Sequence, residues 1–422
     1  LNEVMIYPHQ SNSKDDDPFL INTNFYNSND VYPSSNIASS DRMHSRGFDI
    51  ISIQVVPYNF YPNSNELEVL TDVEVIITEV GPRVDNINTT TKRSRVFDSL
   101  FKDYVINFET SSRTEDYQLP SILYICGGNS ESSSALQDLV EWRHQQGYVV
   151  NTASLSETGN SENQIKNYIQ NAYNTWENPP EYVALVGDVG GNYSVPTFYN
   201  GFGHNSYGND CEGDLPYSQL DGNDLLPEVI VGRISVRSNN ELGVVVAKTL
   251  AYEKATYIDI TGTNWYESAA LIGDPSSSGQ STIHTNQYID NLLQNHGFND
   301  VNTAFSGNYD GFMEDQLEDG VLYMNYRGYL GVSGFGEGEV NDANSGYKTP
   351  FATVLTCGTG SFAEDNTCIA EALLRYGSVS NPKGAVASVA TATWNTHTLF
   401  NNVVAMGMYD GIFSQNLPTS GM

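Results

Sequence analysis

The sequence predicts an α/β protein with two successive parallel-sheet subdomains, preceded by a β-rich segment. Two patterns carry this prediction. Before Pro120, the runs FDIISIQVV and LEVLTDVEVIITEV alternate apolar and polar residues, which is the period of a half-buried β-strand. After Pro120, short apolar runs alternate with helical patterns, beginning with SILYICGG and SSALQDLVEWRHQQG. This βα order is typical of a parallel sheet with helices on its faces.

These patterns divide the chain into four parts. Residues 1–85 form the β-rich segment, in which we expect residues 48–56 and 67–80 to pair as a β-hairpin across the turn-forming run YNFYPNSN. Residues 86–119 are polar and are predicted to be a linker. Residues 120–260 form the first α/β subdomain. Residues 261–422 form the second, with the strands SAALIGD, VNTAFS, GVLYMNYRG, PFATVLTCG and GAVASVAT.

Composition narrows the classes of function. The 422 residues include 19 Lys and Arg against 51 Asp and Glu, which gives a formal net charge of −32 at pH 7. Such a chain repels phosphate backbones and anionic lipid headgroups, so we expect no nucleic-acid partner and no membrane insertion. Charged residues make up only 17% of the chain. A surface built largely from Asn, Ser, Thr and Tyr indicates an extracellular or cell-surface protein.

Reactive groups in open parallel sheets collect at the carboxyl edge of the strands. Three predicted strand ends carry candidate groups there, namely VLYMNYRGYLG, FATVLTCGTGS and AVASVATATWNTHT. Cys357 ends the second of them, and the Gly-Thr-Gly that follows has unencumbered backbone N–H groups, as an oxyanion hole requires. Cys357 is therefore the candidate nucleophile. The alternative is that it is a small buried apolar residue.

A series of ordered motifs carries a family resemblance. The segments YVALVGDVGG, LPYSQLDGNDLLPEVIVGRISV, NYRGYLG, LTCGTGSF, CIAEALLR and GAVASVAT follow one another between residues 182 and 391. Together they resemble the gingipain family of cysteine endopeptidases, and the run beginning RGFDIISIQVV is similar to the end of the gingipain prodomain. The resemblance implies a caspase-like fold from residue 120 onwards, a protein or peptide substrate, and association with a prodomain.

The resemblance also implies roles for individual residues. Cys357 is retained as the nucleophile, and Asp274 as the acid that supports the family's histidine. That histidine, in the family's NYxGH sequence, is here Tyr329, which stays protonated at neutral pH and cannot act as a general base. Thr282 stands where the members that cut after Arg or Lys carry an Asp. The substrate pocket, which we assign to Thr282 and Trp394, is therefore expected not to select Arg or Lys at P1.

One solution for the missing base is a relocated dyad of Cys357 and His397. His397 follows the strand next to the Cys357 strand, at the position where gingipains place a tryptophan of the S1 wall. Tyr329 would then donate a hydrogen bond to the substrate or to the tetrahedral intermediate. The backbone N–H groups of Gly328 and Cys357 would complete the oxyanion site.

Other solutions remain open at the level of sequence. His397 could merely start the final helix, with Asn395 or Thr396 as its N-cap. The chain would then be a catalytically inactive scaffold with a binding, adhesive or assembly role, because fold alone does not establish activity. A base that the sequence does not single out is the third solution.

Two loop features complete the predictions. Asp221, Asn223, Asp224 and Glu228 lie where the family binds calcium, a structural ion that suits oxygen-rich turns, although such turns are common without a metal. Cys211 and Cys368 would permit a disulfide in an oxidising compartment. The chemistry itself requires no cofactor. The sequence thus predicts an extracellular or cell-surface cysteine endopeptidase, with the inactive scaffold as the alternative.

Overall fold

The chain has two structural units. The computed structural model describes residues 2–3, 5–8, 19–78, 92–204, 210–364, 366–394, 396–417 and 419. The contacts within it separate Leu1–Asn88 from Thr89–Met422.

The N-terminal unit consists of short antiparallel strand pairs, as its β-rich pattern predicts. The pairs are Ile37–Ser39 with Ile53–Val55, Met43–Ser45 with Phe48–Ile50, and Tyr58–Tyr61 with Glu66–Val69, after a single helical turn at Thr23–Tyr26. The predicted hairpin between residues 48–56 and 67–80 is wrong. The aromatic run YNFY, which we took as part of the turn, is itself a strand, because aromatic residues favour the pleated surface. The turn is the shorter PNSN.

The range that we predicted to be a linker contains a packed helix, α1 (Arg95–Tyr104). Ser94 is its N-cap and accepts a hydrogen bond from the Phe97 N–H, which satisfies one of the free donors of the first turn. Phe97 and Phe101, one helical turn apart, are both buried. The helix was not predicted because the apolar residues of α1 form a narrow stripe within a polar sequence.

The first sheet has four parallel strands. They are β1 (Ser121–Cys126), β2 (Val149–Ser154), β3 (Tyr182–Val186) and β4 (Ile230–Ile234), in the spatial order β4-β3-β1-β2. Every residue of β1 is buried, as expected for an inner strand covered on both faces. The main helices of this part are α2 (Ser134–Gln145), α3 (Glu162–Thr175) and α4 (Asn239–Lys254).

The second sheet has five parallel strands. They are β5 (Ser268–Gly273), β6 (Asp300–Ala304), β7 (Tyr323–Arg327), β8 (Phe351–Val354) and β9 (Ala387–Ala390), in the spatial order β6-β5-β7-β8-β9. The accompanying helices are α5 (Ser281–Asn295), α6 (Tyr309–Asp319), α7 (Glu337–Asp342), α8 (Ile369–Arg375) and α9 (Thr398–Phe413). Strand register aligns Gly273 with Arg327, and Tyr326 with Val354. The segments that follow β5, β7, β8 and β9 therefore meet at one edge.

Smaller elements complete the chain. They are the strand pairs Phe198–His204 with Asp210–Gly213 and Gly377–Ser378 with Asn381–Pro382, the short helices Leu155–Thr158 and Ile258–Thr261, and the 3₁₀ turns Thr114–Asp116, Ser130–Ser132, Leu215–Tyr217 and Asn264–Glu267. Within the described ranges, every helix falls short of the length and apolar character that crossing a bilayer demands.

Helix α4 joins the two sheets through a buried lysine. Lys248 is fully buried, and its three N–H donors are shared among four backbone carbonyls, those of Leu373, Leu374, Lys383 and Ala385, which lie 2.5 to 3.1 Å from Nζ. Burial lowers the pKa of Lys248 to about 7, while the four carbonyl oxygens favour its charged form. Two of these carbonyls lie in the last turn of α8, and the other two lie just before β9. The lysine therefore fixes α4 to the second sheet.

Candidate active site

Cys357 lies three residues beyond β8, at the carboxyl edge of the second sheet, as the sequence predicts for a nucleophile. Its side chain is only 5% exposed. The Sγ atom lies 3.1 Å from Oγ1 of Thr396 and 3.6 Å from the Thr396 carbonyl oxygen. Thr396 belongs to the segment between β9 and α9, so the sulfur faces the segment that precedes the last helix.

The loop after β7 lies directly beside Cys357. Leu330 and Cys357 form a parallel bridge, and the Gly331 N–H donates to the Cys357 carbonyl at 3.0 Å. Tyr329, at the position of the family's histidine, is 48% exposed in this loop. A Cβ atom at Gly328 would lie 2.6 Å from the Tyr326 hydroxyl, so only glycine fits there. The oxyanion role of Gly328 and the substrate contact of Tyr329 stay predictions.

Asp274 is buried at the end of β5, and both of its carboxylate oxygens are engaged. One accepts from the Ser276 N–H and the other from the Ser333 hydroxyl, each at 2.8 Å. The described hydrogen bonds of the Asp274 carboxylate thus go to its own turn and to the loop after β7. No histidine is among the described hydrogen-bond partners of this carboxylate, and its predicted role in supporting a catalytic histidine stays a prediction.

His397 and Cys357 are not hydrogen-bonded to each other in the described structure, and the predicted dyad stays a prediction. It is the N-cap of α9, and its Nδ1 atom accepts a hydrogen bond from the Leu399 N–H at 3.0 Å. Among the hydrogen bonds of the described residues, those of the Cys357 sulfur go to Thr396 and not to His397. The capping role predicted for Asn395 or Thr396 is wrong, since His397 fills it and Asn395 lies outside the described residues. A helix N-terminus leaves N–H donors without partners, and the imidazole satisfies one of them.

Sequence reasoning missed Arg327, the last residue of β7. It is fully buried, with Nε donating to Asn402 Oδ1 at 2.9 Å and Nη2 donating to the Thr398 carbonyl at 3.2 Å. Nη1 is buried without a hydrogen-bond partner in the described part of the chain. Burial lowers the pKa of Arg327 to about 10, and a negative charge on Cys357 acts in the opposite direction. An arginine closing the otherwise uncharged strand VLYMNYR was the available signal.

The two residues assigned to the substrate pocket lie in different settings. Trp394 packs against Gly358, the neighbour of Cys357, because a Cβ atom at Gly358 would lie 2.8 Å from the Trp394 ring. Thr282 is fully buried on α5, and its hydroxyl donates to the carbonyls of Asp274 and Gly279. Trp394 therefore adjoins Cys357, whereas the Thr282 side chain is bonded to the segment that joins β5 to α5.

The predicted calcium ligands surround a buried carboxylate. Glu228 is fully buried, and its Oε2 atom accepts from the N–H groups of Leu220 and Asp221 at 2.6 and 3.0 Å. Its Oε1 atom is buried without a hydrogen-bond partner among the described residues. In that same part of the chain, however, no three Asp, Glu, His or Cys side chains are arranged to hold a metal ion. Calcium at Asp221, Asn223, Asp224 and Glu228 stays a prediction.

The cysteines outside the site are unpaired. Cys211 and Cys368 do not form the disulfide that we considered, and both are buried free thiols. Cys368 is instead the N-cap of α8, and its N–H donates to Glu371 at 3.1 Å. Burial raises the pKa of both thiols, which makes them poor nucleophiles.

The second sheet presents a cysteine at its carboxyl edge. A glycine-rich turn follows this cysteine, and the loop of the adjacent strand flanks it. This arrangement is that of the caspase-like class of cysteine peptidases. The comparisons identify its family. Residues 116–422 match the model of peptidase family C25, and residues 1–115 match the C25 propeptide. The chain belongs to peptidase family C25, and the resemblance stated from the sequence is confirmed.

Relatives and solved structures agree with this assignment. Gingipain R2 of Porphyromonas gingivalis is 25% identical over 383 residues, which are 87% of this chain and 50% of that protein. Lys-gingipain of the same organism is 26% identical over 464 residues, covering 97% of this chain and 25% of that protein. The chain thus spans half or less of the length of these relatives.

Two solved structures show the same fold. The crystal structure of the Arg-specific cysteine proteinase gingipain R has a TM-score of 0.61 at 25% identity, covering 70% of this chain and 67% of that one. A complex of the pro- and mature domains of RgpB from P. gingivalis has a TM-score of 0.60 at 25% identity, covering 69% and 68%. The caspase-like fold class predicted from the sequence is confirmed.

Proposed function

We propose that this chain is an extracellular or cell-surface cysteine endopeptidase that cleaves peptide bonds with the Cys357 thiolate and does not prefer Arg or Lys at P1. The observation that carries the proposal is the position of Cys357. Its sulfur lies at the carboxyl edge of the second sheet, between the loop after β7 and the segment before α9, in a chain of a peptidase family.

The reaction would follow the two steps of thiol catalysis. The thiolate attacks the carbonyl carbon of the peptide bond, the amine leaves with a proton, and a thioester to Cys357 remains. Water then hydrolyses the thioester, which releases the acid and restores the thiol. No step requires a metal or an organic cofactor.

The P1 preference follows from Thr282. Relatives of this chain are named for cleavage at Arg or Lys, and the family resemblance places their acidic specificity residue at Thr282. The Thr282 hydroxyl is neutral and is committed to two backbone carbonyls. A cationic P1 side chain would lose its hydration without gaining a carboxylate from this position, which costs several kcal/mol.

A peptide library tests both parts of the proposal. The full chain is incubated with peptides that vary at P1, and the products are identified by mass spectrometry, with Cys357→Ala as the control. We expect cleavage that depends on Cys357 and is not concentrated after Arg or Lys. Dominant cleavage after basic residues would overturn the specificity. Equal product from Cys357→Ala, or no product from either protein, would overturn the activity and support the inactive scaffold.

The placement of the chain and of its propeptide region is part of the same proposal. The low content of charged residues and the high content of Asn, Ser, Thr and Tyr support an extracellular or surface location. The match of residues 1–115 to the C25 propeptide supports association with the peptidase region. If the full chain is cut between the two regions by an added protease, the fragments should co-elute in gel filtration. Separate elution would contradict the association.

A further inference from the structure

Arg327 places a positive charge in the interior beside the nucleophile without an acidic partner. Its side chain is fully buried, and within the described ranges it forms no ion pair with Asp or Glu. Burying a charge in this way is costly, and a structure retains it where the charge has a counterpart. Arg327 ends β7, and Cys357 follows β8, the strand that pairs with β7 in the same sheet. Arg327 is therefore the cation that a Cys357 thiolate would face.

One short segment holds both Arg327 and Cys357 in place. Nη2 of Arg327 donates to the carbonyl of Thr398, and the sulfur of Cys357 contacts Thr396. The side chain of Asn402, one turn into α9, accepts from Nε of Arg327. The guanidinium is thus anchored on two of its nitrogens, while Nη1 has no described partner.

The hydroxyl of Thr396 is oriented toward the sulfur. Nδ2 of Asn401 donates to Thr396 Oγ1 at 2.8 Å, which occupies one lone pair of that oxygen. The hydroxyl hydrogen is then available to the sulfur of Cys357 at 3.1 Å. The Thr396 carbonyl at 3.6 Å accepts from the neutral thiol and opposes its ionisation, so a thiolate at this position needs more than one stabilising group.

We infer that Thr396 and Arg327 together stabilise the thiolate of Cys357 and take over the electrostatic role of the absent imidazolium. Thr396 acts as a catalytic residue because its hydroxyl contacts the reacting sulfur. Arg327 acts as a positioning residue. It supplies positive charge and, through its bonds to Thr398 and Asn402, holds the segment that carries Thr396. The inference rests on the proposed function in taking Cys357 as the nucleophile. Hydrogen bonds to an ionised group are about twice as strong as neutral ones, and a nearby cation favours a thiolate in the same direction.

The other ionisable groups around the sulfur are already committed or are unsuited to this role. Asp274 is bonded to Ser276 and Ser333 and carries the wrong charge. The Nδ1 atom of His397 caps α9. Tyr326 accepts from the Ser333 N–H, and Tyr329 is a half-exposed phenol. Arg327 is the permanent cation on the strand adjacent to the nucleophile.

The test measures alkylation of Cys357 rather than proteolysis. The full chain and the variants Thr396→Val and Arg327→Met are treated with iodoacetamide from about pH 5.5 to about pH 9, and the Cys357 peptide is quantified by mass spectrometry. At pH 7 each variant should react about tenfold more slowly, and the rates should converge at high pH. Thr396→Ser and Arg327→Lys, which keep the hydroxyl and the charge, should restore most of the rate.

Two results would overturn the inference. In the first, the pH profiles of the variants superimpose on that of the unmodified chain. In the second, the alkylation rate falls by the same factor at every pH, as a merely structural role would give. If Arg327→Met does not fold, the nearly isosteric Thr396→Val decides the question alone. If iodoacetamide does not reach the buried sulfur, the thiolate absorbance near 240 nm, taken as the difference from Cys357→Ala below about pH 9, replaces it.

The outcome separates this inference from the proposed function. Library cleavage by the full chain, together with variant profiles that do not move, would leave the peptidase standing and reject the role of Thr396 and Arg327. If the profiles move as expected but the chain cleaves no peptide, the role of Thr396 and Arg327 stands and the peptidase activity is rejected.

Discussion

The carboxylate of Asp274 accepts a hydrogen bond from the hydroxyl of Ser333 at 2.8 Å, which ties the end of β5 to the loop that follows β7. This loop also pairs with Cys357 through Leu330. In this chain, the acid that the family resemblance assigns to a histidine is therefore bonded to the loop beside Cys357.

The first prediction is an energetic coupling between Asp274 and Ser333. Asp274→Ala should lower the free energy of unfolding by about 1–3 kcal/mol, because it leaves the Ser276 N–H and the Ser333 hydroxyl without their acceptor. A double-mutant cycle with Ser333→Ala, measured by urea denaturation, should give a coupling energy of about 1 kcal/mol. Additive single variants would show that the bond contributes nothing to stability.

The second prediction concerns His397, which the structure uses as a helix cap. His397→Asn keeps a good N-cap, so both stability and peptidase activity should stay within about twofold of the unmodified chain. His397→Ala removes the cap of α9 and should cost about 1 kcal/mol in thermal or urea unfolding, again with little effect on the catalytic step. A loss of activity of a hundredfold or more in His397→Asn, without a loss of stability, would restore the dyad with Cys357.

The succession of strands and helices along the chain, which gives two parallel sheets one after the other, could be predicted because each strand carries its own signal. The runs SILYIC and SAALIG are short, apolar and followed by turn formers, and both became fully buried inner strands. The pairing in the N-terminal unit could not be predicted in this way. Its strands have three or four residues, and several registers of comparable hydrophobic pattern exist for such short runs.

The site was predictable only in part for a related reason. Cys357 has a local signal, a cysteine between an apolar strand and Gly-Thr-Gly. The direction of a side chain after a strand end has none, so His397 was placed toward Cys357 although its ring caps α9. Arg327 and Thr396 matter through contacts with residues some 40 to 75 positions away. Spacing along the chain does not encode such contacts.

The third prediction tests the contact between Gly358 and Trp394. Gly358 has a φ angle of +75°, and a Cβ atom there would meet the indole at 2.8 Å. Gly358→Ala should therefore lower both the melting temperature and the activity, by backbone strain of about 1–2 kcal/mol plus the collision.

The matched control for this prediction is Gly346→Ala, at a φ angle of +57° with nothing within 4 Å of the added Cβ atom, so that it measures backbone strain alone. Adding Trp394→Ala to Gly358→Ala should remove the collision. The loss of stability should then shrink to about the loss that Gly346→Ala causes. If Gly358→Ala loses no more stability than Gly346→Ala does, Trp394 does not lie against the nucleophile turn.

The fourth prediction follows from the buried carboxyl group of Glu228. Burial, with the nearby charges of Asp221 and Asp224, raises its pKa from 4.5 to about 8, while two backbone N–H groups act in the opposite direction. Below about pH 4.5 the group is protonated in both the folded and the unfolded chain. As the pH rises toward 8 the unfolded chain loses this proton first, so the stability contributed by Glu228 is lost across that window.

Glu228→Gln removes this titration and should raise the melting temperature more at about pH 8 than at about pH 5. Glu109→Gln, at an exposed position, is the matched control. It should leave the melting temperature unchanged at both pH values. Measuring both variants by differential scanning fluorimetry with EDTA, and again with millimolar calcium chloride, also tests the predicted metal site. Calcium bound at Glu228 would stabilise the unmodified chain at pH 8 and not Glu228→Gln. A melting temperature of Glu228→Gln that is lower than that of the unmodified chain in EDTA at pH 8 would show that the carboxylate is ionised there without a metal.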